Sequence, residues 1–190
     1  MTVICALCDA TNRDVWLGCN DGVAVGDTRM PGAKRKKWLL FNDWAIGTAG
    51  SSIPSELLEQ SQQHFPVDED SPVAVTQFLR ALFDEYELGF RDEESPLTSY
   101  PIVALMAHRD GRIWDLDSDL AIDELPPGTL WARGSGMDFA LGADFPLASG
   151  DATSEERVRN AVEAAIFYDT TSPGQASIQK IGSKNLRLAT

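Results

Sequence analysis

Met1-Thr2-Val3-Ile4-Cys5-Ala6-Leu7 reads as an apolar strand with a hydroxyl at its leading edge. Behind it, Asp9-Ala10-Thr11-Asn12-Arg13-Asp14 is rich in turn formers, and residues 15–19 are apolar again. Strand, turn and strand together predict a β-hairpin. Thr2 carries a second meaning. Aminopeptidases trim Met when the next side chain is small, so removal of Met1 would make Thr2 the N-terminus. A hydroxyl is a weak nucleophile near pH 7 and needs a base, and an α-amine with a reference pKa of about 7.7–8.0 can serve. Thr follows Met in many proteins, so the same residue also reads as the plain first residue of a strand.

The 190 residues, 43% hydrophobic and 24% charged, suffice for one domain, 1–190, with its own core. A net charge of −13 argues against nucleic acid or an anionic membrane as partner. No apolar run approaches the roughly 20 residues of a membrane span, and the start lacks the basic residues of a signal peptide, so a cytoplasmic location is expected. Three cysteines, Cys5, Cys8 and Cys19, are an odd number and fit a reduced setting. Cys5 and Cys8 are spaced C-x-x-C, but three residues apart on a strand they point to opposite faces. With His64 and His108 as the only imidazoles, no metal site is expected.

Further along, residues 38–41 and 44–46 flank Asn42-Asp43 as a second hairpin, leading into Gly47-Thr48-Ala49-Gly50. Ser51 to Glu56 supply helix-start residues for a helix ending near residues 64–66. Asp68-Glu69-Asp70 reads as a loop. Val73, Val75, Phe78, Leu79, Leu82, Phe83 and Tyr86 then fall at helical spacing. A polar linker over 91–99 precedes strands at 102–106 and 113–116 around Arg109-Asp110-Gly111. Residues 129–132 add a strand, Ser154 is the expected N-cap of a helix running to about residue 168, and 176–181 alternate as a last strand. Strands, two helices, strands, one or two helices and a final strand make an α+β pattern.

This order, with Thr2, the stretch 30–42, Gly47-Thr48-Ala49-Gly50, Gly134-Ser135-Gly136, residues 139–143 and Asp169-Thr170-Thr171-Ser172, resembles the proteasome β-type subunits and among them the HslV-like peptidases. The resemblance runs from Thr2 to about Ile181. It implies the four-layer αββα sandwich of the N-terminal nucleophile hydrolases, two antiparallel sheets covered by helices. It also implies peptide or unfolded protein as substrate, a homo-oligomeric ring enclosing the sites and, for many members, an ATPase unfoldase as partner. It implies no organic cofactor.

Carried over residue by residue, the resemblance makes Thr2 the nucleophile. Lys36 becomes the active-site lysine, because Met30 and Gly32 before it and Leu40-Phe41-Asn42-Asp43 after it match without a gap; a slip to Lys37 is open, and Lys34-Arg35-Lys36-Lys37 alone would read as a solvated turn. Gly47 matches the glycine whose N–H forms the oxyanion hole. Ser135 matches a serine near the nucleophile's amine, and Asp169 with Ser172 the supporting pair; alone, Ser135 reads as a helix N-cap and Asp169 as a helix-end or turn residue. The acid that the resemblance expects to hold the lysine is replaced by Asn20, with Asp21 next to it, so either the turn shifts and Asp21 serves or the site is electronically altered. Asn accepts a hydrogen bond but supplies no charge. Three functions remain in view: a threonine peptidase, an inactive assembly subunit of the same fold, and an amidase for small amides.

Overall fold

An apolar run with no polar alternation must be buried on both faces, and the first strand, β1 (Val3–Cys8), is: each of its residues is at most 2% exposed. The computed structural model describes residues 2–25, 28–66, 70–91 and 97–182. Met1, residues 68–69 of the expected acidic loop and residues 92–96 of the expected linker lie outside them. After β1 come β2 (Val15–Asn20), β3 (Gly22–Val25), β4 (Thr28–Lys34), β5 (Trp38–Phe41) and β6 (Trp44–Gly50). Helices α1 (Ser52–Gln60) and α2 (Pro72–Glu85) follow, then the short β7 (Phe90–Arg91) and β8 (Thr98–Ser99). Strands β9 (Ile102–His108), β10 (Ile113–Leu116), β11 (Ile122–Leu125) and β12 (Leu130–Gly134) precede α3 (Met137–Asp144), α4 (Ser154–Tyr168) and β13 (Ala176–Ile181).

Two antiparallel sheets carry the molecule, in the orders β12-β1-β2-β13 and β11-β10-β9-β6-β5. Successive side chains of β1 alternate between two clusters. Val3, Cys5 and Leu7 join Val158, Ala161 and Val162 of α4, whereas Ile4, Ala6 and Cys8 join Leu105 and Ala107 of β9. Cys5 and Cys8 thus point to opposite faces, as their spacing on a strand requires, and all three cysteines are free. A third cluster packs Leu58 of α1 and Val75, Leu79 and Phe83 of α2 against Trp44, Ile46 and Met106. Each fully buried Leu, Ile or Val contributes roughly 1.5–3 kcal/mol, so these three clusters are the main source of stability.

The cap of α4 is Thr153 rather than Ser154: Thr153 Oγ1 accepts from Glu156 N, and the Glu156 carboxylate accepts from Thr153 N at 2.8 Å. This reciprocal capping box outcompetes a lone serine. Ser154 Oγ instead donates to Asp9 Oδ2 at 2.8 Å, tying α4 to the first turn. Helix α1 stops at Gln60, and a single 3-10 turn, Gln62–His64, covers the rest of the expected span. The hairpin of β3 and β4 was not foreseen. Nearly all of β4 is exposed, so no apolar alternation marks it. No helix among the described residues is long and apolar enough to cross a membrane.

Candidate active site

Thr2 lies immediately before β1, 7% exposed, where three pieces of chain converge. Asn20 at the end of β2 accepts from Val3 N at 2.9 Å and donates to Pro173 O at 2.8 Å, fastening the start of β1 to the loop after α4. On the other side, Gly134 of β12 pairs with Val3. Its φ is +100°, and a Cβ there would stand 2.0 Å from Thr2 O, so glycine is needed both for the backbone angle and for the close approach.

The side chain of Thr2 meets a cation. Lys37 Nζ donates to Thr2 Oγ1 at 2.6 Å, and Lys37 is 5% exposed. Burial lowers its pKa to about 8, with the charge of Arg35 pushing the same way and those of Cys19 and Asp21 opposing. This corrects the expectation for Lys36, which is exposed. Lys37 directly precedes β5, and in extended chain neighbours face opposite ways, so a one-residue slip exchanges the inward and outward lysines.

Asn20 and Asp21 do not take the place of an acid clasping that lysine in any contact described for them. Asn20 spends its amide on the backbone groups named above and on Gly22 O. Asp21 accepts from Lys34 Nζ at 2.6 Å and from Gln175 N at 2.8 Å. Its charge raises the Lys37 pKa, against the lowering by burial.

Ser135, Asp169 and Ser172 do come together. Ser135 Oγ donates to Asp169 Oδ2 at 2.7 Å and stands 3.5 Å from Thr2 O, and Ser172 Oγ also donates to Asp169 Oδ2 at 2.7 Å. Thr171, not singled out from sequence although inside the quoted motif, donates to Asp169 Oδ1 from both Oγ1 and N. Burial pushes the Asp169 carboxyl up, but the hydrogen bonds from Thr171, Ser135 and Ser172 outweigh it and hold the group down at about 2. An anion with every oxygen occupied fixes the loop that closes over Thr2 O. Ser135 is not the N-cap of α3, a position that Gly136 occupies.

Gly47 is also displaced from its expected role. It is paired inside the sheet with Trp38 and Leu105, and a Cβ on it would meet the Trp38 ring at 2.8 Å, so the glycine makes room for an indole. The cleft beside Thr2, about 470 Å³, is lined by Thr48, Ala49 and Gly50 instead. Strand β5 stops pairing at Trp38, and β6 runs on beyond it. Thr48 N donates to Lys37 O at 3.1 Å. Strand alternation turns the N–H of Gly50 to this same edge, which no strand among the described residues covers past Thr48.

One group away from this cleft has the composition of a cation site. Asp43, Asp70 and His108 bring ligand atoms within 4.8 Å of one another. His108 Nε2 and Nδ1 lie 3.2 and 3.0 Å from Asp70 and Asp110. His108 pairs with Trp44, at the end of β6 farthest from Gly50.

No family model matches the chain, and no curated protein is matched by it. Solved structures do match. BPH from Thiobacillus denitrificans, in complex with epoxomicin, aligns with a TM-score of 0.74 over 95% of this chain and 100% of that one, at 18% identity. Eukaryotic HslV from Trypanosoma brucei aligns with a TM-score of 0.71 over 94% and 98%, at 19% identity. The chain has the HslV-like fold across nearly its whole length.

Proposed function

We propose that the protein is a threonine peptidase of the HslV type, with Thr2 as nucleophile once Met1 is removed, built on a four-layer αββα sandwich and working inside a self-assembled ring. The observation that carries this reading is the buried contact of 2.6 Å between Lys37 Nζ and Thr2 Oγ1. A lysine lowered to about 8 is partly neutral near pH 7 and can take the hydroxyl proton, as can the α-amine of a processed Thr2.

In the proposed reaction Thr2 Oγ bonds to the scissile carbonyl carbon while its proton passes to nitrogen. The negative charge that develops on the carbonyl oxygen meets the open edge of β6, where Gly50 N–H takes the part that the resemblance gave to Gly47. Removing one such donor costs about 2.7–4 kcal/mol in comparable sites. The carbon–nitrogen bond then breaks, the leaving amine carries off the proton, and an ester to Thr2 remains. Water hydrolyses that ester and restores the hydroxyl. Asp169 orients Ser135, whose hydroxyl stands 3.5 Å from Thr2 O, and neither residue exchanges a proton with the substrate.

The test is turnover of fluorogenic peptides by the purified protein, with intact mass recorded on the same sample. The reading expects a chain lacking Met1 that cleaves peptides and loses this activity in Thr2→Ala. A chain that keeps Met1 and cleaves nothing contradicts it and favours the inactive assembly subunit, for which the absence of an acid at Asn20 speaks. Cleavage of small amides but not of peptides favours the amidase.

A further inference from the structure

Resting on that reading of Thr2, we infer that the cleft selects peptides with an acidic side chain next to the scissile bond, and that Lys36 is the residue that reads it. Four consecutive cations, Lys34, Arg35, Lys36 and Lys37, line the cleft that holds Thr2, and no carboxylate lines it among the described residues. This is a local reversal in a chain whose net charge is −13.

The four cations are not equivalent. Lys37 is engaged with Thr2. Lys34 is paired with Asp21, and Arg35 with Glu56 of α1. Lys36 is exposed, lines the cleft, and has no carboxylate partner among the described residues. A flexible ammonium beside a nucleophile, with no internal acid to neutralise it, offers a charge-assisted hydrogen bond to whatever carboxylate a substrate brings. The far wall adds to the field. Ser51 caps α1, Ser52 begins it, and both line the cleft with Ser55. The first turn of α1 contains no acidic residue, so the positive end of its dipole faces the cleft uncompensated. Arg35 lines the cleft from the side of the other cations, and its exposed partner Glu56 can be displaced by a substrate carboxylate of equal charge.

The position of Lys36 follows from its neighbour. With Lys37 turned inward to Thr2, alternation at the entry to β5 turns Lys36 to the opposite side, where it is exposed at the rim shared by this cleft and an adjoining one lined by Cys19, Asp21 and Trp38. The sequence places two lysines in a row; the strand divides them into one that touches the nucleophile and one that meets the substrate.

The experiment compares two peptide epoxyketones that differ in a single group, Glu against Gln beside the epoxyketone, by the rate at which each modifies Thr2, read as intact mass of the full-length protein. The expected result is labelling about tenfold faster for the Glu probe, the worth of one charge-assisted hydrogen bond, with the difference shrinking as salt is raised. In Lys36→Gln the Glu-to-Gln ratio falls toward one, and in Lys36→Glu it inverts. Equal rates for the two probes in the wild-type protein, or a ratio that Lys36→Gln leaves intact, overturn the inference while leaving Thr2 as nucleophile. Failure of both probes to modify Thr2 overturns the functional reading, and this inference with it.

Discussion

The hydroxyl Thr2 Oγ1 has a nitrogen 2.6 Å away, and burial lowers that lysine to about 8, so its free amine is accessible near neutral pH. Lys37→Ala should slow peptide turnover by about 10²- to 10⁴-fold, the usual worth of a positioned proton-transfer group. The rate should also rise with pH through about 8 as Lys37 loses its proton. A rate that falls across that range would mean that the lysine acts as a cation instead. Asp169 obeys the opposite sign. Held at about 2 against an ordinary 3.8, its carboxylate stabilises the folded chain above about pH 4, and this stability is lost as pH falls toward 2. The contribution is about 2 kcal/mol. Denaturant melts of Asp169→Asn should show that loss at neutral pH and a flatter response to acid. The choice between Lys36 and Lys37 was not legible in the sequence, because Lys34-Arg35-Lys36-Lys37 is uniform and an alignment anchored at Asn42-Asp43 gives no reason for a gap. Only the register of β5 decides it.

Among the elements, legibility followed burial. Strand β13 and helix α2 were readable to within a residue or two because one face of each meets a core, and the apolar period records that face. The β3–β4 hairpin was not readable: its second strand touches solvent along nearly its whole length, so its sequence has no apolar period to show. The glycines were recognised as turn residues, but what each makes room for depends on chain far away in sequence. Gly47→Ala drives a methyl into the Trp38 ring and should cost about 1–3 kcal/mol in a thermal or denaturant melt. Gly134→Ala should behave differently. Its Cβ collides with Thr2 O, so the proposed nucleophile itself moves, and a shift near 1 Å can cost about 10²-fold in rate. Peptide turnover scored against melting temperature separates the two: loss of turnover in Gly134→Ala beyond its loss of stability marks displacement of Thr2.

For the molecule as a whole, the two sheets and their packed helices form the frame that brings residues 2, 37, 135 and 169 together. The outer pair α3 and α4 is held by Arg157, which donates to both oxygens of Asp144 at 2.7 Å and to Gly128 O at 3.0 Å. Both partners of this pair are buried, so Arg157→Ala strands a buried carboxylate and should destabilise the protein by about 3–5 kcal/mol. The order of its elements was legible from sequence because strands and helices that meet a core carry an apolar period, and the fold is shared with structures only 18–19% identical. The measurement that tests Thr2 most directly is reaction of the purified protein with epoxomicin, followed by intact mass and peptide mapping. An epoxyketone offers a ketone to the hydroxyl and an epoxide to the amine, so double addition requires both groups on one residue. The reading predicts one inhibitor per chain, located on Thr2 of a protein lacking Met1, absent in Thr2→Ala and slowed in Lys37→Ala. A chain that begins at Thr2 and takes up no inhibitor, or takes it up on another residue, would contradict it.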